Sequence, residues 1–206
     1  MLFIALMMSC SSVKTIEFKI IDKEFKKEAK SMKMLVTNHS NTNYFLPMDM
    51  SDKDFICKEF YSSAEERKFM YLKTGVESIN GDTLHNWIFE SCSSCGDIDF
   101  DKAKRLRDHC YDKNRMNNIL LLKAHSDTIV NVPVYLKIEF DGCDKSYIEE
   151  YDSIKDFTHY IMLEYNQKDR RLLKNYFSEK LLDSLGTAKY VLYDKKITSN
   201  KVIIRE

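Results

Sequence analysis

The sequence predicts a mainly β domain, in which short antiparallel strands form a sandwich that helical insertions interrupt. Apolar and polar residues alternate with a period of two near both ends of the chain, as in half-buried strands. Tyr and Phe, which favour strands, number 12 each. Turn-forming clusters separate several of these segments. With 206 residues and 44% hydrophobic content, the chain is long enough for one domain with a real core.

Three strands are predicted within the first fifty residues. Apolar side chains alternate over residues 16–20 and again over 32–36. The second of these segments ends in a turn-rich cluster at 38–41. An extended segment then restarts at Tyr44 and ends at Pro47.

Further strands are predicted in the second half. Residues 119–122 form a short apolar run, and 125–127 are typical of a turn. Apolar side chains then share one face over 132–140, while Pro133 falls on the polar face, which indicates an edge strand or a bulge. The remaining strand-like segments are 159–165, 190–193 and 201–204. These seven or eight strands favour a β-sandwich.

Helical periodicity interrupts the strands in three places. The clearest helix is predicted to begin at Asn166, where Asn166 and Asp169 resemble a capping arrangement, and to end at Gly186. Two further helices are predicted over 63–73 and 101–112. The apolar stripe of the clearest helix recurs at three- and four-residue steps and consists of Leu172, Leu173, Tyr176, Phe177, Leu181 and Leu185.

The first ten residues resemble a bacterial lipoprotein signal peptide. Residues 2–8 are an unbroken apolar run, too short to cross a bilayer, which requires ~20 apolar residues. Ser9 and Cys10 follow, and a small residue directly before a cysteine resembles the lipobox, in which the sulfur receives a diacylglycerol. The resemblance implies that Cys10 becomes the acylated first residue and anchors the chain to a membrane. The alternative is an apolar N-terminal strand that holds an ordinary core cysteine.

The resemblance also implies an organisation along the chain. No basic stretch precedes the apolar run, so we expect a truncated signal peptide with its start codon upstream. The predicted parts are a signal peptide at 1–9, a lipidated cysteine with its tether at 10–14, and a single sandwich domain at 15–206 with helical insertions near 55–115 and 166–186.

Three segments resemble small immunoglobulin-like domains of Bacteroidota lipoproteins of unknown function. They are residues 34–41, 120–129 and 197–202, which in those domains supply an early strand, a mid-sandwich hairpin and the final strand. The resemblance implies an immunoglobulin-like antiparallel β-sandwich. It also implies a location in the bacterial cell envelope, with the outer membrane favoured over the inner and the membrane face left open.

Charge and motifs limit the classes of function. Lys plus Arg equals Asp plus Glu at 32 each, so the basic face of a nucleic-acid binder is not expected. The sequence has no Gly-x-Ser-x-Gly elbow, no phosphate-binding loop and no dinucleotide fingerprint. We therefore expect no catalytic residues and no cofactor.

The cysteines are the residues most able to carry chemistry. Five follow Cys10, and an exported chain can form disulfides. Cys92 and Cys95 have the spacing of a redox pair or half a zinc site, and His109 with Cys110 could complete four zinc ligands. Structural disulfides that fasten the helical insertion are the favoured interpretation, and the identity of any metal stays open.

A second pattern concerns modification by sugar. Every Asp-Ser or Asp-Thr pair precedes an aliphatic residue, which resembles the O-glycosylation acceptor of Bacteroidota exported proteins. The hypothesis is that Thr83 or Thr128, both in predicted loop or turn positions, carries sugar.

Two functions remain at this point. The first is a non-catalytic binding or structural module with a protein or glycan partner, to which Trp87 could supply an aromatic contact unless it is core. The alternative is a metal- or thiol-dependent protein whose site lies in the insertion that holds the cysteines and His109.

Overall fold

The computed structural model describes residues 14–26, 29–48, 50, 72–80, 83–84, 113, 116, 119–134, 159–166 and 170–205. This part of the chain is mainly β, as predicted. Its strands are β1 (Ile16–Ile20), β2 (Glu24–Lys26), β3 (Ser31–Asn38), β4 (Asn43–Pro47), β5 (Lys73–Ser78), β6 (Thr83–Leu84), β7 (Ile119–Leu122), β8 (Asp127–Pro133), β9 (His159–Tyr165), β10 (Tyr190–Leu192), β11 (Ile197–Thr198) and β12 (Val202–Arg205). Its helices are a 3-10 turn (Arg170–Leu172), α1 (Leu173–Tyr176) and α2 (Glu179–Thr187).

The first sheet is antiparallel and has the strand order β1-β3-β8. Its register pairs Phe18 with Val36 and Met34 with Val130. Alternate residues of β1 and β3 are buried, so the period-two pattern of the sequence corresponds to one face turned toward the core.

The second sheet has the order β2-β12-β9-β5-β6, and β11 also pairs with β9. Here β12 is antiparallel to β9 and parallel to β2. Thr198 pairs with Glu164 and Val202 with Ile161, so the chain between β11 and β12 has one residue more than β9 opposite it. That extra residue makes the connection a β-bulge, which bends the strand.

The third sheet is mixed and has the order β10-β4-β7. β4 is antiparallel to β7 and parallel to β10. Each face of this sheet contributes residues to an apolar cluster. Leu46 and Leu122 belong to the main core, whereas Phe45 and Ile119 belong to a second apolar cluster. Burial on two faces explains why these strands have continuous apolar runs instead of alternation.

The main core lies between the first two sheets, as in a β-sandwich. It takes Ile16, Phe18 and Val36 from the first sheet and Ile161 and Leu163 from the second, all of them buried. The finer expectation, an immunoglobulin-like strand order, stays a prediction.

An aromatic cluster occupies the part of this core where the three sheets meet. The Tyr165 ring meets Phe18 edge-on at 6.3 Å, and Tyr44 meets Tyr193 at 5.1 Å. The Tyr165 hydroxyl donates to the Tyr193 carbonyl at 2.8 Å. Burial, and to a lesser extent the charge of Asp194, raises the pKa of Tyr165 far above that of a free phenol.

The helix predicted over 166–186 is wrong in its extent. Phe177 has extended backbone angles and separates α1 from α2. Ser178 caps α2, because its hydroxyl accepts from the Leu181 N–H at 3.2 Å. The stripe residues nevertheless all pack in the second apolar cluster. The periodicity therefore identified the buried side chains correctly but not the break between the two helices.

Strand boundaries supply further corrections. β5 begins at Lys73 and contains Gly75, so the end of the helix predicted over 63–73 and part of the helical insertion near 55–115 are strand. A Cβ on Gly75 would lie 3.0 Å from the Met162 Cε, so a larger residue here would require the Met162 side chain to shift. β8 begins at Asp127, inside the predicted turn, and contains Pro133 at its end. Residues 135–140 and the helix predicted at 101–112 lie outside the described residues.

Candidate functional site

The densest polar network in the described part of the chain lies where one strand pair passes between two sheets. β3 continues into β4, and β7 continues into β8, while β3 pairs with β8 and β4 with β7. Between the two ladders lie residues 38–43 on one chain segment and 123–126 on the other. We call residues 38–43 and 123–126 the polar corner.

Asn38 is the centre of the polar corner and is only 1% exposed. Its amide donates to the carbonyls of Thr42 at 2.8 Å and Lys123 at 2.9 Å. Its carbonyl accepts from the Ser40 N–H at 3.0 Å and from the Ser40 hydroxyl at 2.8 Å. All polar atoms of the buried amide are thus satisfied, and they fix both segments of the corner.

His125 turns the second segment of the corner. Its φ is 52°, in the left-handed region that non-glycine residues seldom adopt. Its backbone N–H donates to the Ser40 carbonyl at 3.1 Å, and its Nε2 contacts the Asn41 Oδ1. The neighbouring Ala124 N–H donates to the Asn43 Oδ1 at 2.9 Å. The conformation is therefore held by hydrogen bonds from the facing segment.

His39 fastens the corner to the start of β1. Its backbone N–H donates to the Thr15 carbonyl at 2.9 Å. Its Nε2 lies 3.4 Å from the Glu17 Oε2, and both side chains are well exposed. The first described residues of the chain are thus hydrogen-bonded to the polar corner.

The polar groups of the corner are suited to recognition by hydrogen bonding. The Ser40 hydroxyl donates to an amide oxygen instead of a histidine, so the corner lacks the nucleophile–base pair of covalent catalysis. His39 and His125 contact different partners. Across the residues that the structure describes, no three His, Cys, Asp or Glu side chains are grouped to hold a metal ion. What the corner presents is a set of exposed donors and acceptors.

A second surface lies on the outer face of the first sheet. We call Lys33, Leu35, Ile129 and Asn131 the outer strip, because β3 and β8 place Lys33 opposite Asn131 and Leu35 opposite Ile129. Ile129 is 62% exposed, and the lysine and asparagine are also exposed. An exposed isoleucine and a half-buried leucine beside polar residues form a composition found where partners bind.

The candidate site residues of the sequence fall into two groups, those that lie outside the described residues and those that lie on strands. Cys10, Cys92, Cys95, His109 and Cys110 lie outside the described residues, so their proposed lipid, disulfide or metal chemistry stays a prediction. The same holds for Trp87.

The two proposed glycosylation sites occupy strands, not loops or turns. Thr83 begins β6, and Thr128 pairs with Val36 inside β8. Thr128 is half-buried and lies on the same face of β8 as the core residue Val132. The expectation of loop or turn positions was therefore wrong. A half-buried strand hydroxyl is a poor acceptor for a bulky sugar, which argues against Thr128, whereas glycosylation of Thr83 stays a prediction.

Sequence reasoning missed two asparagines that join elements. The turn-rich composition at 38–41 did indicate a turn, but nothing in it showed that Asn38 is buried. Asn200, in the β-bulge, accepts from the Ile20 N–H at 2.7 Å and donates to the Ile20 carbonyl at 3.2 Å. Its side chain thus takes the place of a strand partner for β1. No sequence pattern signals that role, because it depends on a residue 180 positions away.

No known protein-family model matches the chain, and no curated protein is significantly similar to it. Within the ranges described above, no helix combines the length and the apolar character needed to traverse a bilayer.

Proposed function

We propose that this protein is a bacterial envelope lipoprotein, anchored by a lipid on Cys10, whose sandwich domain is a non-catalytic binding or structural module. The observation that carries the proposal is the sequence of the first ten residues, where an apolar run and Ser9 lead directly to Cys10. The first strand, β1, begins six positions later at Ile16, which leaves only a short tether.

Fatty-acid labelling tests the anchor. The gene, with its native upstream sequence, is expressed in bacteria that are fed an alkynyl fatty acid, and the protein is recovered from membrane and soluble fractions. We expect label and membrane location in the wild type, loss of both in Cys10→Ser, and retention of both in the matched variant Cys57→Ser. Wild-type protein without label would refute the lipid anchor.

The outer strip is the proposed contact surface of the module for a protein partner. Leu35 and Ile129 supply apolar area, and Lys33 and Asn131 supply hydrogen-bond donors beside it. Apolar residues that polar groups surround give affinity and orientation in protein interfaces.

Crosslinking in intact cells tests this surface. We expect the wild type to form a specific adduct that Ile129→Asp loses. Val191→Asp is the matched control, because Val191 is also an exposed strand residue but lies on β10. Equal loss from both variants, or loss from neither, would contradict binding through the outer strip.

The cysteines support the alternative function, a metal- or thiol-dependent site. Cys92, Cys95, His109 and Cys110 have residue types that bind zinc. Metal analysis and thiol counting of the native protein distinguish the possibilities. Bound zinc, together with thiols that become reactive when a chelator removes the metal, favours the metal site. Thiols that appear only after reduction, in protein without metal, favour structural disulfides.

A further inference from the structure

The tether limits how far the domain can lie from the membrane, and the inference below rests on the proposed lipid anchor at Cys10. Thr15 lies five positions after Cys10 in the sequence. A fully extended chain spans at most ~3.6 Å per residue, so Thr15 lies within about 18 Å of the acylated cysteine. The Thr15 carbonyl accepts from the His39 N–H, so the polar corner lies within the same short reach.

The opposite end of the first sheet can lie much farther from Cys10. β3 runs from Ser31 to the corner, and Lys30 precedes it. At about 3.3 Å per residue, Lys30 lies roughly 25 Å from the corner along the strand. The two ends of the first sheet are therefore not equivalent with respect to the membrane.

The groups exposed at the corner end are suited to lipid headgroups. The exposed lysines at this end, Lys14 and Lys123, carry positive charge. The side chains of His39, His125 and Asn41 are exposed beside them. Phosphate and ester oxygens accept hydrogen bonds from such donors, and an anionic surface attracts each lysine that lies near it.

Carboxylates also lie at this end. Glu17 contacts His39, and Asp127 opens β8 beside the corner. We propose that the polar corner lies against the headgroups of the membrane that holds Cys10, so that Lys14 and Lys123 contact lipid phosphate while Lys30 faces away.

Lysine footprinting tests the orientation. Native lipidated protein is added to preformed vesicles of phosphatidylethanolamine and phosphatidylglycerol, and its lysines are acetylated with a membrane-impermeant reagent. Mass spectrometry then compares each lysine with the same lysine in Cys10→Ser protein that is mixed with the same vesicles. We expect Lys14 and Lys123 to lose most of their reactivity in the anchored protein, and Lys30 to keep it.

The outcomes separate the two proposals. If the lipidated protein stays with the vesicles but Lys123 reacts as readily as Lys30, or both lose reactivity equally, the orientation is refuted and the anchor stands. If the protein does not associate with the vesicles at all, the anchor fails and the orientation fails with it.

Discussion

At the scale of single residues, the buried amide of Asn38 joins two separate segments of the chain. Asn38 satisfies two carbonyls from different chain segments and two donors of Ser40. The ion pairs, by contrast, are partly or wholly exposed; in Lys174 with Glu179, both side chains are more than 70% exposed. Exposed pairs contribute little to stability because water screens them. The corner therefore depends on Asn38.

Asn38→Ala leaves the carbonyls of Thr42 and Lys123 without their donors. Each buried polar group without a partner costs about 1–3 kcal/mol, so we expect the free energy of unfolding to fall by about 3 kcal/mol. Urea denaturation measures it. Asn131→Ala on the exposed face of β8 is the control and should change stability by less than about 0.5 kcal/mol. Equal effects of the two substitutions would contradict the role given to Asn38.

The left-handed backbone of His125 makes a second prediction at this scale. A β-branched residue is strained at a φ of 52°, whereas glycine is not. We expect His125→Val to be less stable than His125→Gly by about 1–2 kcal/mol. Thermal unfolding of the pair measures the difference, and because both variants lose the imidazole, its contact with Asn41 cancels. A valine variant as stable as the glycine variant would refute the strain.

At the scale of elements, alternation predicted the strands that have one buried face. β1, β3 and β9 appear where the sequence placed them, since their apolar residues point to a single core. The helical stripe identified the residues of the second apolar cluster but predicted one helix where the structure has α1 and α2. Spacing reports which side of a helix is buried, and not whether the helix is continuous. The polar corner and the β-bulge depend on bonds from side chains to distant backbone, which no local pattern contains.

The β-bulge leads to a prediction about β1. Asn200→Ala removes the acceptor of the Ile20 N–H, which lies at the end of β1. We expect faster hydrogen exchange at Ile20 and a stability loss of about 1 kcal/mol. Exchange measured by NMR checks this, with the amides in the middle of β3 as the internal reference. Unchanged exchange at Ile20 would contradict the contact.

At the scale of the whole molecule, the third sheet joins two apolar clusters into one structure. One of its faces adds Leu46 and Leu122 to the main core, and the other packs Phe45 and Ile119 against the side of α2 that bears Leu181. The aromatic cluster lies on the sandwich side of this sheet, where Tyr193 follows β10 and meets Tyr44 of β4. Changes in the ionisation of Tyr165 and Tyr193 should therefore affect global stability.

Alkaline pH tests that coupling through Tyr165. Burial raises its pKa in the folded protein, so above about pH 10 the unfolded chain loses a proton that the folded protein keeps. The stabilisation is complete below pH 10 and is lost as the pH rises, by about 1.4 kcal/mol per pH unit for each such tyrosine. The pKa of Tyr193 is raised in the same direction, mainly by burial.

Tyr165→Phe should therefore alter stability in two ways. At pH 7 the variant loses the hydrogen bond to the Tyr193 carbonyl and about 1 kcal/mol of stability. Above pH 10 its stability should fall less steeply than that of the wild type, so the two curves converge. Urea denaturation at a series of pH values measures both effects, with Tyr190→Phe, outside the aromatic cluster, as the control. Parallel curves for wild type and Tyr165→Phe would show that Tyr165 ionises equally readily in both states.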